Sequence, residues 1–224
     1  MGKTINLVLL SSVLLSSAFV FATEQMGDTL FLNGKKYFTY TYPLQAFLLE
    51  NLEKLPQSSD EFFSDSGNRR GYLATWEIKE GHLVLTDIAT LHAVRRPGLL
   101  DIKYGSVMSK IFPGQKEVQA DAFTGYLILL NGKHVDDIYA ADTFLYEQYV
   151  ILRVEQGVAT SNLAIDTAGF IKFREAQFAA YKKTEDYRLS QAKNAARGIS
   201  AEEDERIQHA FYSAEYMSII FSEP

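Results

Sequence analysis

One stretch of the chain, residues 69 to 91, alternates between apolar and polar side chains with a period of two. The first half of the stretch carries apolar or aromatic residues on one face: Tyr72, Ala74, Trp76 and Ile78. This period, with aromatic and β-branched residues, is typical of a half-buried strand. Gly81 then interrupts the pattern, and glycine reaches the positive φ of a tight turn at little cost. The stretch therefore predicts a β-hairpin that turns at Glu80 and Gly81.

A two-residue turn also fixes the register of the hairpin. The predicted pairs are Lys79 with His82, Ile78 with Leu83, Glu77 with Val84, Trp76 with Leu85 and Thr75 with Thr86. A slip of one residue would oppose Trp76 and Ile78 to polar partners, so the turn and the apolar pattern agree.

The same register places Asp87 opposite Ala74 on the apolar face. Arg70 lies two pairs further along that face, opposite Leu91. A carboxylate on an apolar face needs a partner, because an unpaired buried charge is costly or shifts its pKa. Two interpretations of Asp87 follow: a structural ion pair, with Arg70 as one candidate partner, or a catalytic or ligand-binding acid.

The N-terminus has the pattern of a secretory signal peptide, residues 1 to 22. Lys3 precedes an apolar run over residues 7 to 22, and Val20 and Ala22 suit cleavage after Ala22. The alternative is an uncleaved membrane anchor. We expect a periplasmic or secreted protein that meets the membrane only through this peptide during export.

Composition excludes several classes of protein. The 224 residues contain no cysteine, which rules out thiol catalysis and cysteine-ligated zinc. The formal charge is −6, and removal of residues 1 to 22 with their single lysine gives 21 − 28 = −7. This acidic balance argues against a nucleic-acid partner.

The remaining elements predict an α+β fold: an antiparallel sheet of several β-hairpins with an early helix and a helical C-terminal region. Three further hairpins are predicted at Asn33-Gly34, Asn131-Gly132 and Gln156-Gly157. Helices are predicted over residues 44 to 55, 104 to 112 and 170 to 197, and after a capping box at Ser200 and Glu203. We expect a β-rich domain over residues 23 to 165 and a helical region over residues 166 to 224 that packs on it.

Two groups of polar residues are candidates for chemistry. Asp87, His92 and Asp101 form a loose grouping that would suit a hydrolase with a carboxylate and a histidine. His134, Asp136 and Asp137 form the second group, in which His134 and Asp136 would face the same way about 6.6 Å apart along a strand. The second group also fits an ordinary polar strand end, and no compact metal-ligand pattern occurs in the sequence.

The hairpin resembles a family of uncharacterised exported bacterial proteins with the pattern R-G-Y-x-x-T-W-x-I. The matching residues are Arg70, Gly71, Tyr72, Thr75, Trp76, Ile78, Leu83, Leu85, Ile88, Phe112, Pro113, Phe123, Thr124 and Gly125. The resemblance covers residues 28 to 165 and implies export without assigning an activity or any functional residue.

We therefore expect a non-enzymatic binding or interaction module, without cofactor or metal, whose partner is an unknown protein or small ligand. The binding candidates are Arg70, His134, Asp136 and Asp137. An aromatic binding face is a further possibility, because tyrosine combines apolar area with a polar tip. The tyrosines concerned, which also suit a sheet core, are Tyr37, Tyr40, Tyr42, Tyr139, Tyr146 and Tyr149. The alternative function is a hydrolase that uses a carboxylate and a histidine.

Overall fold

The computed structural model describes residues 25–50, 62–63, 67–96, 99–140, 143–211 and 216–220. The predicted signal peptide lies outside these residues. The strands are β1 (Asp28–Leu32), β2 (Lys35–Thr39), β3 (Phe62–Phe63), β4 (Tyr72–Lys79), β5 (His82–Arg96), β6 (Leu99–Ser106), β7 (Val118–Gln119), β8 (Gly125–Ala140), β9 (Thr143–Glu155) and β10 (Val158–Asp166). The helices are α1 (Leu44–Glu50), α2 (Met108–Ile111), α3 (Thr167–Tyr181), α4 (Glu185–Ala195) and α5 (Ala201–Phe211).

The α+β fold class is confirmed. The described strands form one sheet in the order β10-β9-β8-β2-β1-β4-β5-β3, with β6 and β7 also paired to β5. The pairs are antiparallel except that β1 runs parallel to β4. One end of β10 also pairs with β5 at Val158 and His82, so the sheet closes on itself at that point.

The predicted hairpin register is right next to the turn and wrong further along. Lys79 pairs with His82, and the register holds as far as Trp76 and Leu85. A β-bulge then intervenes, so that Thr75 faces Asp87 and not Thr86. Thr86 is the extra residue, and its hydroxyl donates a hydrogen bond of 3.1 Å to the Thr75 carbonyl. A bulge of this kind shifts every later side chain by one position.

Two apolar clusters lie on the two faces of β8 and β9. Leu127, Leu129 and Leu152 belong to the cluster inside the closed sheet, around Trp76. Ile128 and Ile151 point to the opposite face and pack with the C-terminal helices. Strands that are buried on both faces read as continuous apolar runs, as β8 does in its first half.

The hairpin predicted at Asn131 and Gly132 is wrong, because β8 continues through these residues. The pairing with β9 skips two positions there: Asn131 faces Gln148, and His134 faces Tyr146. Gly132 has φ +81°, so the Asn-Gly pair supplies the positive φ of a bulge and not of a turn. The hairpins at Asn33-Gly34 and Gln156-Gly157 are confirmed.

The single helix predicted over residues 170 to 197 is two helices, α3 and α4. Thr184 begins α4, because its hydroxyl accepts a hydrogen bond of 3.2 Å from the Tyr187 amide. Glu185 and Asp186 then fill the first turn, where acidic residues are stabilised by the helix dipole. The helix predicted over residues 104 to 112 is also wrong in extent, since only α2 is helical and residues before it belong to β6.

Candidate functional site

A buried carboxylate, Asp28, joins β1 to β4. Its side chain is fully buried and accepts hydrogen bonds from three groups: the Arg70 guanidinium at 3.0 Å, the Ala74 amide at 3.1 Å and the Trp76 indole N–H at 3.2 Å. Burial raises the pKa of the Asp28 carboxyl above its ordinary value, and Arg70 opposes that rise without cancelling it.

The guanidinium of Arg70 is held on several sides. It donates to the Met26 carbonyl at 2.8 Å as well as to Asp28. Its Cζ lies 3.5 Å from the ring centroid of Tyr42 and 4.8 Å from that of Tyr72. Arg70 therefore serves the fold, as a cation stacked on aromatic rings and paired with a carboxylate, and its role as a binding residue finds no support in this geometry.

The predicted ion pair has the right arginine and the wrong carboxylate. The bulge between Thr75 and Trp76 turns Asp87 away from the apolar face, so that Ala74 faces Ile88. Asp87 is half-buried and accepts a hydrogen bond of 2.5 Å from the Ser106 hydroxyl. Asp87 is therefore neither opposite Ala74 nor paired with Arg70.

The proposed carboxylate and histidine pair does not assemble. Asp87 and His92 are five residues apart on β5, so their side chains point to opposite faces. The Nε2 atom of His92 lies 3.2 Å from both the Thr90 hydroxyl and the Gly105 carbonyl. Asp101 pairs in the ladder with Val94, two positions from the partner of His92, and its side chain lies outside the described part.

The second predicted group is only partly described. His134 is exposed and packs edge-on against Tyr146, with ring centroids 5.7 Å apart. Asp136 and Asp137 lie on β8 at a second register shift, between Val135 and Ile138. Their side chains are outside the described part of the chain. Among the described residues there is no cluster of histidine and carboxylate side chains that could hold a metal ion.

The described tyrosines belong mainly to the fold. Tyr37 and Tyr149 are buried, and Tyr149 stacks on Phe170 of α3 with ring centroids 3.9 Å apart. Burial raises the pKa of Tyr149 to about 12, although the amide of Tyr146 donates to its hydroxyl. These contacts support the sheet-core interpretation and not an aromatic binding face.

A second buried polar network ties the C-terminal segment to α3. Arg174 is fully buried and donates to the Tyr216 hydroxyl at 3.0 Å and to the His209 carbonyl at 2.6 Å. Gln177 donates to carbonyls of the same segment, with the shortest bond, 2.7 Å, to Ile219. These groups satisfy backbone carbonyls and hold residues 216–220 in place.

An open cleft of about 850 Å³ lies between α3 and α5. Six of the ionisable side chains that line it lie in close pairs. The pairs are Lys182 with Glu205 at 2.9 Å, Arg206 with Glu203 at 2.6 Å, and His209 with Glu175 at 3.2 Å. Exposed pairs of this kind contribute little and are not by themselves a binding site.

The open edge of the sheet is different in character. On the side away from β9, β10 pairs with β5 only at Val158, and the Ala159 amide donates to the carbonyl of Gly81 in the turn before β5. Residues 160–166 have no strand partner on that side among the described residues. We call these residues the β10 edge.

The β10 edge lacks the usual protection against strand pairing. Natural edge strands carry charged residues, prolines or bulges that block the addition of another strand. β6, which pairs only with β5 among the described strands, carries Asp101 and Lys103, whereas residues 158 to 165 contain no charge and no proline. The devices present lie at the two ends: a bulge near Thr160, next to the residues that β5 covers, and Asp166, whose side chain accepts a hydrogen bond from the Gly169 amide.

Exposed apolar surface accompanies this edge. Leu163 is 57% exposed in the middle of it. It pairs across the ladder with Ile151, which is buried, so Leu163 continues the apolar face of β9 out to the rim of the sheet. The β10 edge thus combines free backbone groups with a projecting leucine.

Comparison with protein-family models, with curated proteins and with solved structures finds no match to this chain. Of the helices that the structure describes, none has both the length and the apolar character needed to span a membrane.

Proposed function

We propose that the protein is an exported interaction module that binds an extended segment of a polypeptide along the β10 edge. The observation that carries the proposal is an exposed strand edge, uncharged from residue 160 to residue 165, that has no strand partner among the described residues on the side away from β9. An extended segment that adds to such an edge gains main-chain hydrogen bonds, and alternate side chains supply specificity.

The two faces of β10 indicate what the bound segment presents. Leu163 and Ile165 lie on the face that packs against the helices, and Asn162 and Ala164 lie on the other. Because neighbouring strands pair side chains of the same face, the segment presents apolar residues beside Leu163 and small or polar residues beside Ala164.

Export is part of the same proposal. It is supported by the pattern of residues 1 to 22, with cleavage after Ala22, and places the module in the periplasm or outside the cell. The hydrolase alternative loses its support, because Asp87 and His92 lie on opposite faces of one strand.

Site-specific photo-crosslinking tests the binding surface. A photoreactive amino acid replaces Leu163 in the protein expressed in its own host, and a matched variant carries it at Leu189 on α4, which is also 57% exposed. We expect a discrete crosslinked product from position 163 and none from position 189.

A blocking variant shows whether the crosslink depends on strand pairing. Asn162→Lys with Ala164→Lys places two charges on the β10 edge, as natural edge strands do. The control, Leu189→Lys with Ala192→Lys, adds the same charge on α4. The proposal fails if the product at position 163 survives the edge substitutions, or if positions 163 and 189 capture the same material.

A further inference from the structure

We infer that the β10 edge binds a second copy of the same chain, by antiparallel pairing of β10 with its own copy about a twofold axis at Leu163. The inference rests on the proposed function, since it names the polypeptide that occupies the same edge. A homodimer interface with twofold symmetry requires a surface that is complementary to itself.

The limits of the free edge decide the register. Contacts with β5 and with Gly81 of the preceding turn occupy Val158 and Ala159, and α3 begins at Thr167. The window that remains is residues 160–166, and its middle residue is Leu163. A twofold pairing that uses the whole window therefore places Leu163 opposite Leu163 of the other copy.

This register is chemically self-consistent. The remaining pairs are Thr160 with Asp166, Ser161 with Ile165, and Asn162 with Ala164. Like charges do not meet in any of these pairs, since Asp166 is the only charged residue of the window and faces a hydroxyl. The exposed leucine of each copy gains an apolar partner directly across the new ladder.

Charge also favours this face for contact between copies. The chain carries a formal charge of −6, so two copies repel each other over most approaches. Residues 158 to 165 form an uncharged strip, with Asp166 at its end, on which that repulsion is reduced. A single strand from each copy, roughly 23 Å long, makes a small contact, so we expect association that depends on protein concentration.

Disulfide trapping tests the register. The chain has no cysteine of its own, so only the introduced thiols can form a disulfide. Leu163→Cys places the two thiols directly opposite each other, within the Cα separation that a disulfide spans. At micromolar protein, we expect Leu163→Cys to crosslink at least about tenfold faster than Leu189→Cys under the same mild oxidant, because pairing raises the effective thiol concentration.

Two further variants identify the pairing as antiparallel and centred on Leu163. Neither Asn162→Cys nor Ala164→Cys faces itself, whereas a mixture of the two faces each other. We expect the mixture to crosslink faster than either variant alone. Equal rates for Leu163→Cys and Leu189→Cys, or no gain in the mixture, overturn the inference. If trapping fails while position 163 still photo-crosslinks a different protein, the proposed function stands and only its occupant is wrong.

Discussion

The contact whose removal has the largest calculable effect is the one between Asp28 and its three donors. Asp28→Asn keeps the shape of the side chain and one acceptor oxygen, but it removes the charge that compensates Arg70 and turns an amide N–H toward the indole N–H of Trp76. The lost pairing with Arg70 is offset by relief of the desolvation that raises the pKa of Asp28. The remaining cost is the buried indole N–H of Trp76 left without an acceptor, so we expect the free energy of unfolding to fall by about 2 kcal/mol, within the range of about 1–3 kcal/mol for an unsatisfied buried donor.

The measurement is urea unfolding followed by circular dichroism and by the fluorescence of Trp76, the only tryptophan in the chain. A matched control is Asp87→Asn on the neighbouring strand, where the carboxylate is bonded to Ser106 at the surface. We expect this control to change the free energy of unfolding by less than about 1 kcal/mol.

A double-mutant cycle separates the ion pair from the hydrogen bonds of Asp28. Arg70→Met removes the cation while keeping an extended apolar stem beside Tyr42 and Tyr72. In the double variant neither charge is left alone, so its loss of stability should fall short of the sum of the single losses by about 1–3 kcal/mol. A loss below about 1 kcal/mol for Asp28→Asn, or strict additivity with Arg70→Met, would refute the structural role assigned to the pair.

Three further predictions use the same unfolding measurement. Because the pKa of Asp28 is raised above its ordinary 3.8, its carboxyl binds a proton at a higher pH in the folded protein than in the unfolded chain. The stability that Asp28 contributes is therefore fully present below pH 3.8 and is lost as pH rises through the folded pKa. The stability difference between wild type and Asp28→Asn should grow as pH falls from 7 towards 4, and a shrinking difference would contradict this prediction. Gly105→Ala should cost about 1–3 kcal/mol, because the new Cβ would lie 2.7 Å from the His92 ring, and His92→Ala in the same chain should recover most of that loss; an equal cost in both backgrounds would show that the ring is not the obstacle. Gly132→Ala should cost at least about 1–2 kcal/mol, since φ is +81° and the Cβ would meet the Glu147 carboxylate at 2.7 Å; a neutral result would contradict the bulge geometry.

The alternation of the sequence was sufficient to predict the β4–β5 hairpin, because its turn and its apolar face specify the same register. It was not sufficient for the bulge, since nothing in the pattern around Thr86 marks an extra residue. That one extra residue places Asp87 off the apolar face, so the predicted site around Asp87 does not form. Arg70 does pair with a buried carboxylate, but that carboxylate is Asp28.

A signal for Asp28 was present in the sequence. Asp28 shares the period-two face of β1 with Leu30, which is fully buried. What the sequence could not provide was the parallel pairing of β1 with β4, which sets Leu30 beside Trp76 and brings Asp28 to the Ala74 amide. Pairing between strands more than forty residues apart depends on how the whole sheet assembles.

Two other differences have local explanations. Asn-Gly provides a positive φ wherever it occurs, so the motif at Asn131 serves a bulge while the one at Asn33 serves a turn. The open edge of β10 was not predictable at all, because the strand sequence does not reveal which side receives a neighbour. Only the order of the sheet shows that β10 is its last strand.

The most direct test of the β10 edge as an interaction site is amide hydrogen exchange over residues 160–166, with α4 as the internal reference. Exchange is compared between the dilute pure protein, the concentrated pure protein and the protein kept in a concentrated extract of its own compartment. We predict that residues 160–166 gain protection on concentration while α4 does not, with protection in the pure protein identifying a second copy as the occupant. Identical exchange of residues 160–166 in all three samples would contradict the proposal that this edge binds a polypeptide.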